Sequence, residues 1–332
     1  MNILAGDIGG TKTNLAIFSL ESGLGKPLSE LSYPSGKFDS LEAIIREFNA
    51  HTSLPFSRAC FGVAGPVIEG RAQITNLPWV VDAGAIQSAF NLTTVALLND
   101  LESVAYAIPI LKAEDIFTLN EGKSIQGAPI AVIAPGTGLG EGFLTYACGH
   151  YIAHASEGSH TSFAPENELQ MGLWKFLKDK GYEHISFERV CSGALGVPLL
   201  YEYLKSIGAA SEPDWLAAQL AECPDPTPVI FNAAHDPQEP APLAAATVKL
   251  FVEILGAEAG NLALKVLSTG GLYLGGGIPP RIIKELQHPD FLEFVRAKGR
   301  FRSVLSEIPI HVIMNPRAAL LGAAAYGLSM ND

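Results

Sequence analysis

Apolar positions along the chain alternate between strand-like runs and helical spacings. NILAGDI (2–8) and KTNLAIF (12–18) are short apolar runs joined by Gly9-Gly10-Thr11, the pattern of two strands and a tight turn. Further strand-like runs stand at 58–64 (RACFGVA) and 93–98 (TTVALL). Between them Leu41, Ile44, Ile45 and Phe48 recur at helical spacing, preceded by Asp39 and Ser40, both good N-cap residues. A helix is predicted from Asn99-Asp100 to Ile108, where Pro109 stops it. A second strand cluster follows at 130–134, 141–147 and 150–155, and from about 165 the pattern turns mostly helical. The longest helical pattern, 241–267, places Leu243, Thr247, Leu250, Phe251, Ile254 and Leu255 on one face, with Lys249 and Glu253 opposite. The segment 208–242, rich in Ala, Pro and Asp, reads as short helices joined by loops. A strand at 310–314 and a closing helix near 317–329 complete an α/β pattern of sheets covered by helices, without a repeat of solenoid length.

Bulk properties narrow the class. The 332 residues, 48% hydrophobic and 17% charged, suit a compact enzyme of about two domains. The formal net charge of −12 disfavours nucleic acid as a partner, because an acidic surface repels phosphate backbones. A bound nucleotide then needs local compensation from backbone N–H groups or a metal ion. Cys60, Cys148, Cys191 and Cys223 lie far apart without metal-ligand spacing and read as buried thiols of a reducing compartment. Asp7 interrupts the early apolar stretch and no basic segment precedes it, so no signal peptide is expected. The longest apolar run, 318–328, falls short of the ~18 residues of a membrane span. These features predict a soluble cytoplasmic protein.

Three glycine clusters each sit where a predicted strand ends: Asp7-Ile8-Gly9-Gly10-Thr11, Gly136-Thr137-Gly138-Leu139-Gly140 and Gly275-Gly276-Gly277. Each alone can be a plain tight turn. Glycine also lets the backbone approach a ligand, so that successive N–H groups converge on phosphate oxygens. No GxxxxGK[ST] occurs, which excludes a P-loop enzyme. Glu141 occupies the last glycine position of a dinucleotide fingerprint, which disfavours a Rossmann dehydrogenase. An acid within Asp-x-Gly-Gly-Thr can hold Mg²⁺ through water while the glycine N–H groups and the Thr11 hydroxyl approach a transferring phosphate.

Polar pairs supply further candidates. Asn99 and Asp100 end an apolar strand and open a helix. They suit ordinary capping, and the same place aims a carboxylate out of the carboxyl end of a strand, where α/β sheets bind ligands. The helix dipole favours the ionised form a base requires, and burial opposes it. Glu157 and His160 in EGSH can form one metal-ligand pair, but no second His/Cys cluster completes a zinc site. Carboxylate, imidazole and amide groups also match a sugar's ring of hydroxyls, each both donor and acceptor. Glu188 beside Arg189 is either a surface ion pair or another such ligand.

Taken in order, these motifs resemble the bacterial glucokinase family, in the actin/hexokinase-like ATPase superfamily. The resemblance rests on DIGGT (7–11), VAGPV (63–67), TNLPW (75–79), LLND (97–100), PGTGLG (135–140), EGSH (157–160), ERVCSG (188–193), GNLAL (260–264) and LGGGI (274–278). It implies a two-domain α/β fold of ribonuclease H-like type closing over a substrate cleft. Residues 1–110 would form the small domain, completed by a C-terminal helix (317–332), and residues 111–316 the large one. It implies ATP, Mg²⁺ and glucose as ligands, with the sugar 6-hydroxyl as acceptor. Asp100 matches the family's catalytic base, and Asn99, Glu157, His160 and Glu188 its sugar ligands. Asp7, Gly9, Gly10 and Thr11 match one phosphate turn, with Asp7 positioning the metal. Gly136, Thr137 and Gly138 match the other, and Gly275, Gly276 and Gly277 flank the adenosine. A homodimer is also implied.

The chain departs from the ROK relatives, which carry a CxCGxxGC zinc cluster that is missing here. Glu141 is an acid where a neutral residue is expected, and it either points to solvent or weakens nucleotide affinity. Competing readings are a kinase for fructose, mannose or an N-acetylhexosamine, and a non-catalytic sugar sensor. The acidic balance argues against a sensor that acts on DNA.

Overall fold

In the computed structural model residues 2–21 and 23–330 are described, so Asn331 and Asp332 of the expected closing segment lie outside the described residues. The chain divides into two compact α/β units, one built from residues 1–115, 147–155 and 315–332, the other from 116–146 and 156–314.

The first unit carries β1 (Asn2–Ile8), β2 (Lys12–Ser19), β3 (Ser29–Pro34), β4 (Arg58–Val63), a ribbon of β5 (Val67–Ile68), β6 (Arg71–Gln73) and β7 (Val80–Asp82), and β8 (Thr94–Asn99). Its main sheet has the order β3-β2-β1-β4-β8. β4 is buried at every position and β1 at most of them, as strands covered on both faces must be. The helix Leu41–Thr52 buries Leu41, Ile44, Ile45 and Phe48. It starts at Ser40, whose hydroxyl accepts the Ala43 N–H at 3.3 Å, and ends at Ser53 in the left-handed region.

Two further helices, Asp100–Ala107 and Ala318–Ser329, pack closely on each other. A Cβ on Gly322 would overlap the Ser103 carbonyl oxygen, while the Ser103 hydroxyl donates to the Ala319 carbonyl at 2.7 Å. Glycine at 322 therefore lets the closing helix approach the helix that begins at Asp100. Gly322→Ala is expected to destabilise the protein by about 1–3 kcal/mol through overpacking. Equilibrium urea unfolding measures this, and an unchanged midpoint would show that the two helices can separate without cost.

The second unit carries β9 (Ile116–Asn120), β10 (Ile130–Pro135), β11 (Leu139–Ala147), β13 (Gly271–Leu274) and β14 (Ile310–Ile313), in the sheet order β11-β10-β13-β14-β9, while β12 (His150–Ser156) falls almost wholly within the stretch 147–155 of the first unit. The segment expected to hold short helices contains Asp214–Glu222 and Pro226–His235. The long helix Pro242–Val266 differs from the expected two-faced pattern, because Glu253 and nearly every residue from Thr247 to Ala263 are buried. Helices Gly196–Ser206, Pro226–His235 and Pro289–Arg296 pack around it, so it forms an axis of the core. Close approach explains the glycine of GNLAL, since a Cβ on Gly260 would overlap the Val295 carbonyl oxygen.

Cys60 and Cys191 are buried as expected, whereas Cys148 is exposed at the turn between β11 and β12 and Cys223 is intermediate. Among the described residues no helix is long and apolar enough to cross a membrane.

Candidate active site

In the first unit, strand register gathers three motifs at one sheet end. β1, β4 and β8 run parallel, with Ile8 opposite Val63 and Val63 opposite Asn99. The segments that follow these residues, Gly9-Gly10, Ala64-Gly65 and Asp100, therefore leave the sheet side by side. This is the carboxyl end, where open α/β sheets bind ligands.

The turn is held from several directions. The Gly9 N–H donates to the Lys12 carbonyl at 3.0 Å, and the Ser35 hydroxyl donates to the Gly9 carbonyl at 2.7 Å. A Cβ on Gly10 would lie 2.5 Å from the Thr75 carbonyl oxygen. Thr75 is fixed in turn by its N–H and hydroxyl, which both donate to the Ala64 carbonyl at 3.0 and 3.1 Å. Ser35 and the Thr75 backbone are supports that the local motif does not reveal. Trp79 of TNLPW is a core residue whose indole N–H donates to the Phe38 carbonyl at 3.1 Å.

Asn99 acts as the cap. Its Oδ1 accepts the Leu101 N–H at 3.0 Å, and its Nδ2 donates to the Gly65 carbonyl at 3.2 Å. Glu102 closes a capping box by accepting the Asn99 N–H at 3.4 Å. Asp100 accepts the Leu101 N–H at 2.8 Å and keeps an exposed surface. Desolvation raises its carboxyl above the ordinary range, opposed by hydrogen bonds from Leu101 and Asn99. Asp7 accepts a hydrogen bond from Asn14 Nδ2 at 3.3 Å. Desolvation raises its carboxyl too; Asn14 opposes this, the nearby charge of Asp100 adds to it, and Lys12 lowers it. A divalent cation held through water by Asp7 would relieve its desolvated carboxylate.

In the second unit, β10 and β13 run parallel with Ile133 opposite Leu274, so the turns after them adjoin. The Gly136 N–H donates to the Gly138 carbonyl at 2.9 Å, and the Gly136 carbonyl accepts from Gly193 N–H at 2.8 Å. The Thr137 carbonyl accepts from Ala194 N–H at 3.0 Å, so Gly193, the last residue of ERVCSG, and Ala194 hold this turn. Gly276 has φ +82°, and a Cβ there would lie 2.5 Å from the Pro135 carbonyl oxygen. A Cβ on Gly136 or Gly277 would meet nothing within 4 Å, which leaves open backbone of the kind phosphate oxygens or a ribose can approach. β11 begins at Leu139, so the last two residues of PGTGLG belong to the strand rather than the turn.

Glu157, His160 and Glu188 come together in this unit. His160 Nε2 lies 3.6 Å from Glu157 Oε2, and its Nδ1 lies 3.4 Å from Glu188 Oε2. The side chains of Glu157 and His160 are 86% and 56% exposed, so both can meet a ligand. Glu188 borders the turn at Gly136–Gly138, because a Cβ on Gly138 would sit 2.6 Å from its Oε1. Its neighbour Arg189 stacks over the Tyr182 ring at 5.0 Å, so Glu188 is engaged with His160 instead of a surface ion pair. Glu141 does not point to solvent: its side chain is wholly buried.

The sequence profile of the glucokinase family matches residues 4–330. A glucokinase of Nostoc punctiforme is 41% identical over 97% of both chains. A solved glucokinase from an Antarctic psychrotroph is 29% identical and superposes with a TM-score of 0.84, covering 99% of each chain. A ROK-family glucokinase from Streptomyces griseus, solved with glucose and AMPPNP, is 20% identical with a TM-score of 0.65 over 99% of this chain and 100% of that one, and shares the fold. The fold is that of the actin-like ATPase class of sugar kinases. The chain belongs to the glucokinase family.

Proposed function

We propose that this chain transfers the γ-phosphoryl group of ATP to the 6-hydroxyl of glucose, giving glucose 6-phosphate and ADP, in the cytoplasm. The observation that carries the reading is the alignment of Asp7, the Gly9-Gly10 turn and Asp100 at one sheet end. It supports roles for the three as a metal-positioning acid, a phosphate turn and a base acting together.

Family membership supports the substrate pair, and the chemistry of each unit supports the roles. Asp100 takes the proton from the sugar hydroxyl as it attacks. Its exposed carboxylate is reachable, and its raised proton affinity makes it a better base than an ordinary aspartate. Asn99, Glu157, His160 and Glu188 receive the sugar hydroxyls. The imidazole between two carboxylates can donate to only one of them when neutral, which leaves acceptor oxygens for sugar hydroxyls. Backbone N–H groups of Gly10 and Gly138, with the hydroxyls of Thr11 and Thr137, receive the phosphates, while Gly9 and Gly136 shape the turns with N–H groups bonded inside them. Gly275, Gly276 and Gly277 flank the adenosine. Asp7 would hold Mg²⁺ through water, and the ion supplies charge neutralisation at the phosphates.

Glu157→Gln is expected to raise the glucose KM by about tenfold with the ATP KM unchanged, since a ligand to the sugar alone is lost. Steady-state kinetics with each substrate varied in turn measures this. A parallel rise in both KM values, or none, removes Glu157 from the sugar site. The same assay run with fructose, mannose and N-acetylglucosamine in place of glucose tests the substrate assignment, because turnover confined to another hexose would replace it.

A further inference from the structure

Glu141 is the acid that the reaction leaves unexplained. It follows the phosphate turn on β11, opposite Ile133 of β10. Its side chain is 0% exposed, and neither carboxyl oxygen has a hydrogen-bond partner among the described residues. An ionised carboxylate in that condition costs several kcal/mol, so the group must be neutral or paired.

The surroundings decide which. The neighbouring carboxylate is Glu258 on the helix Pro242–Val266, itself wholly buried. Glu258 already holds the available donors: Lys265 Nζ at 3.1 Å on Oε1 and Asn261 Nδ2 at 2.8 Å on Oε2. Cys191, the other titratable group nearby, is kept a neutral thiol by burial and by these two acids. The group therefore has two carboxyls and one ammonium, and one proton makes it neutral. With Glu258 paired, that proton belongs to Glu141. Two carboxylates that both lack a proton cannot hydrogen-bond, whereas a protonated Glu141 can donate to Glu258.

Glu141 also touches the sugar-binding turn. A Cβ on Gly158 would overlap Glu141 Oε2 and lie 3.3 Å from its carboxyl carbon. The carboxyl thus packs against the Cα of Gly158, the residue between Glu157 and the Ser159-His160 pair. The turn's own N–H groups are used locally: Gly158 donates to Ser156 Oγ at 3.0 Å and His160 to the Glu157 carbonyl at 3.0 Å. Glu141 therefore supports the turn by contact, from the strand that leaves the phosphate turn.

We propose that Glu141 is a positioning residue for the sugar site: as a neutral acid donating to Glu258, it supports the turn that presents Glu157 and His160. The inference rests on the assignment of that turn to the sugar. When Glu141 ionises, its charge meets that of Glu258 without a donor between them, and the contact with Gly158 is lost. Burial, followed by the charge of Glu258, pushes its carboxyl up to about 8, with Lys265 pulling the other way. Glucose affinity should then weaken on the alkaline side of that value. The linkage sign agrees: a carboxyl raised in the folded state contributes stability that is lost as pH rises through its folded value.

The test is the glucose KM at saturating ATP from pH 6.5 to 9.5, for wild type, Glu141→Gln and Glu141→Ala, with Glu157→Gln as control. Glutamine is neutral, nearly isosteric and able to donate to Glu258. Wild type should show a rise in glucose KM of about tenfold towards pH 9.5, with the ATP KM flat. Glu141→Gln should match wild type at neutral pH within about twofold and lack the alkaline rise, and Glu141→Ala should bind glucose about tenfold more weakly throughout. If Glu141→Ala does not fold, the glutamine profile decides alone. A glutamine variant with the wild-type alkaline rise overturns the inference, as does one that loses glucose affinity or fails to fold. So does a wild-type KM that is flat over the whole range. The control separates the two readings: if Glu157→Gln leaves glucose KM unchanged, the sugar assignment of the turn has failed. If it raises KM while the Glu141 variants behave as wild type, the inference alone has failed.

Discussion

Replacing Asp100 with Asn is expected to lower kcat by about 10²–10⁴-fold, the usual contribution of a general base. Fold and glucose affinity should stay close to wild type. Asparagine keeps the shape and an oxygen that can accept the Leu101 N–H, which Asp100 accepts at 2.8 Å. The helix start is secured independently by Asn99 and Glu102. What asparagine lacks is the capacity to take a proton.

The pH dependence carries the same information. Desolvation raises Asp100 above the ordinary aspartate range, so the base is lost by protonation at a higher pH than a solvated aspartate would be. The acidic limb of kcat/KM should therefore lie above the usual carboxylate range in wild type, and it should vanish in the variant. Calorimetric glucose binding alongside steady-state kinetics separates the effects. Turnover near the wild-type rate in Asp100→Asn would take the base role away from this residue.

The second large effect is expected at Gly10. In Gly10→Ala the new methyl would lie 2.5 Å from the Thr75 carbonyl oxygen, a backbone atom that cannot swing aside. Thr75 is bonded twice to the Ala64 carbonyl, and Ala64 follows the strand beside β1. The strain must then be taken up by the Gly9-Gly10 turn. A displacement of about 1 Å in such a turn can cost about 10²-fold in rate. A kcat loss of that order is expected with the fold retained, measured by initial rates beside a thermal melt. The same change at Gly136, where a Cβ meets nothing within 4 Å, should strain no backbone and leave the thermal melt unchanged. A Gly10→Ala enzyme with wild-type kcat would mean that the turn is not held against Thr75.

Much of this arrangement could be read in the sequence, for a physical reason. A glycine turn with an acid at the end of an apolar strand is a local pattern, and Asp7–Thr11 and Pro135–Gly140 carry all their signals within a few residues. Helices with caps, such as the one starting at Ser40, were equally plain. Contacts made across the chain were not. Ser35 holds the Gly9 carbonyl from a separate strand-to-helix segment, and nothing in its own neighbourhood marks it. β9 has only partly buried residues and gains its place by pairing with β14 far along the chain. β3 offers Leu31 and Tyr33 as its alternating apolar positions before Pro34 ends it, a weak strand signal.

Burial is the harder property to read for the same reason. Glu253 stands on the polar side of a helical pattern, and Glu141 reads either as solvent-facing or as weakening nucleotide affinity. Glu253 lies on a helix surrounded by other helices, and Glu141 is enclosed beside the buried Glu258. In both cases the environment is set by distant segments. The gathering of Glu157, His160 and Glu188 was legible only as three suitable side chains, and the distances of 3.6 and 3.4 Å to the imidazole come from the fold.

The most direct test of the account is identification of the product when the protein is given ATP, Mg²⁺ and glucose, by phosphorus and proton NMR of the reaction mixture. One ADP is expected for each glucose 6-phosphate, with the phosphoryl group on the 6-oxygen and negligible ADP formed without sugar. Phosphate on another oxygen, or ADP release that does not depend on glucose, would contradict it.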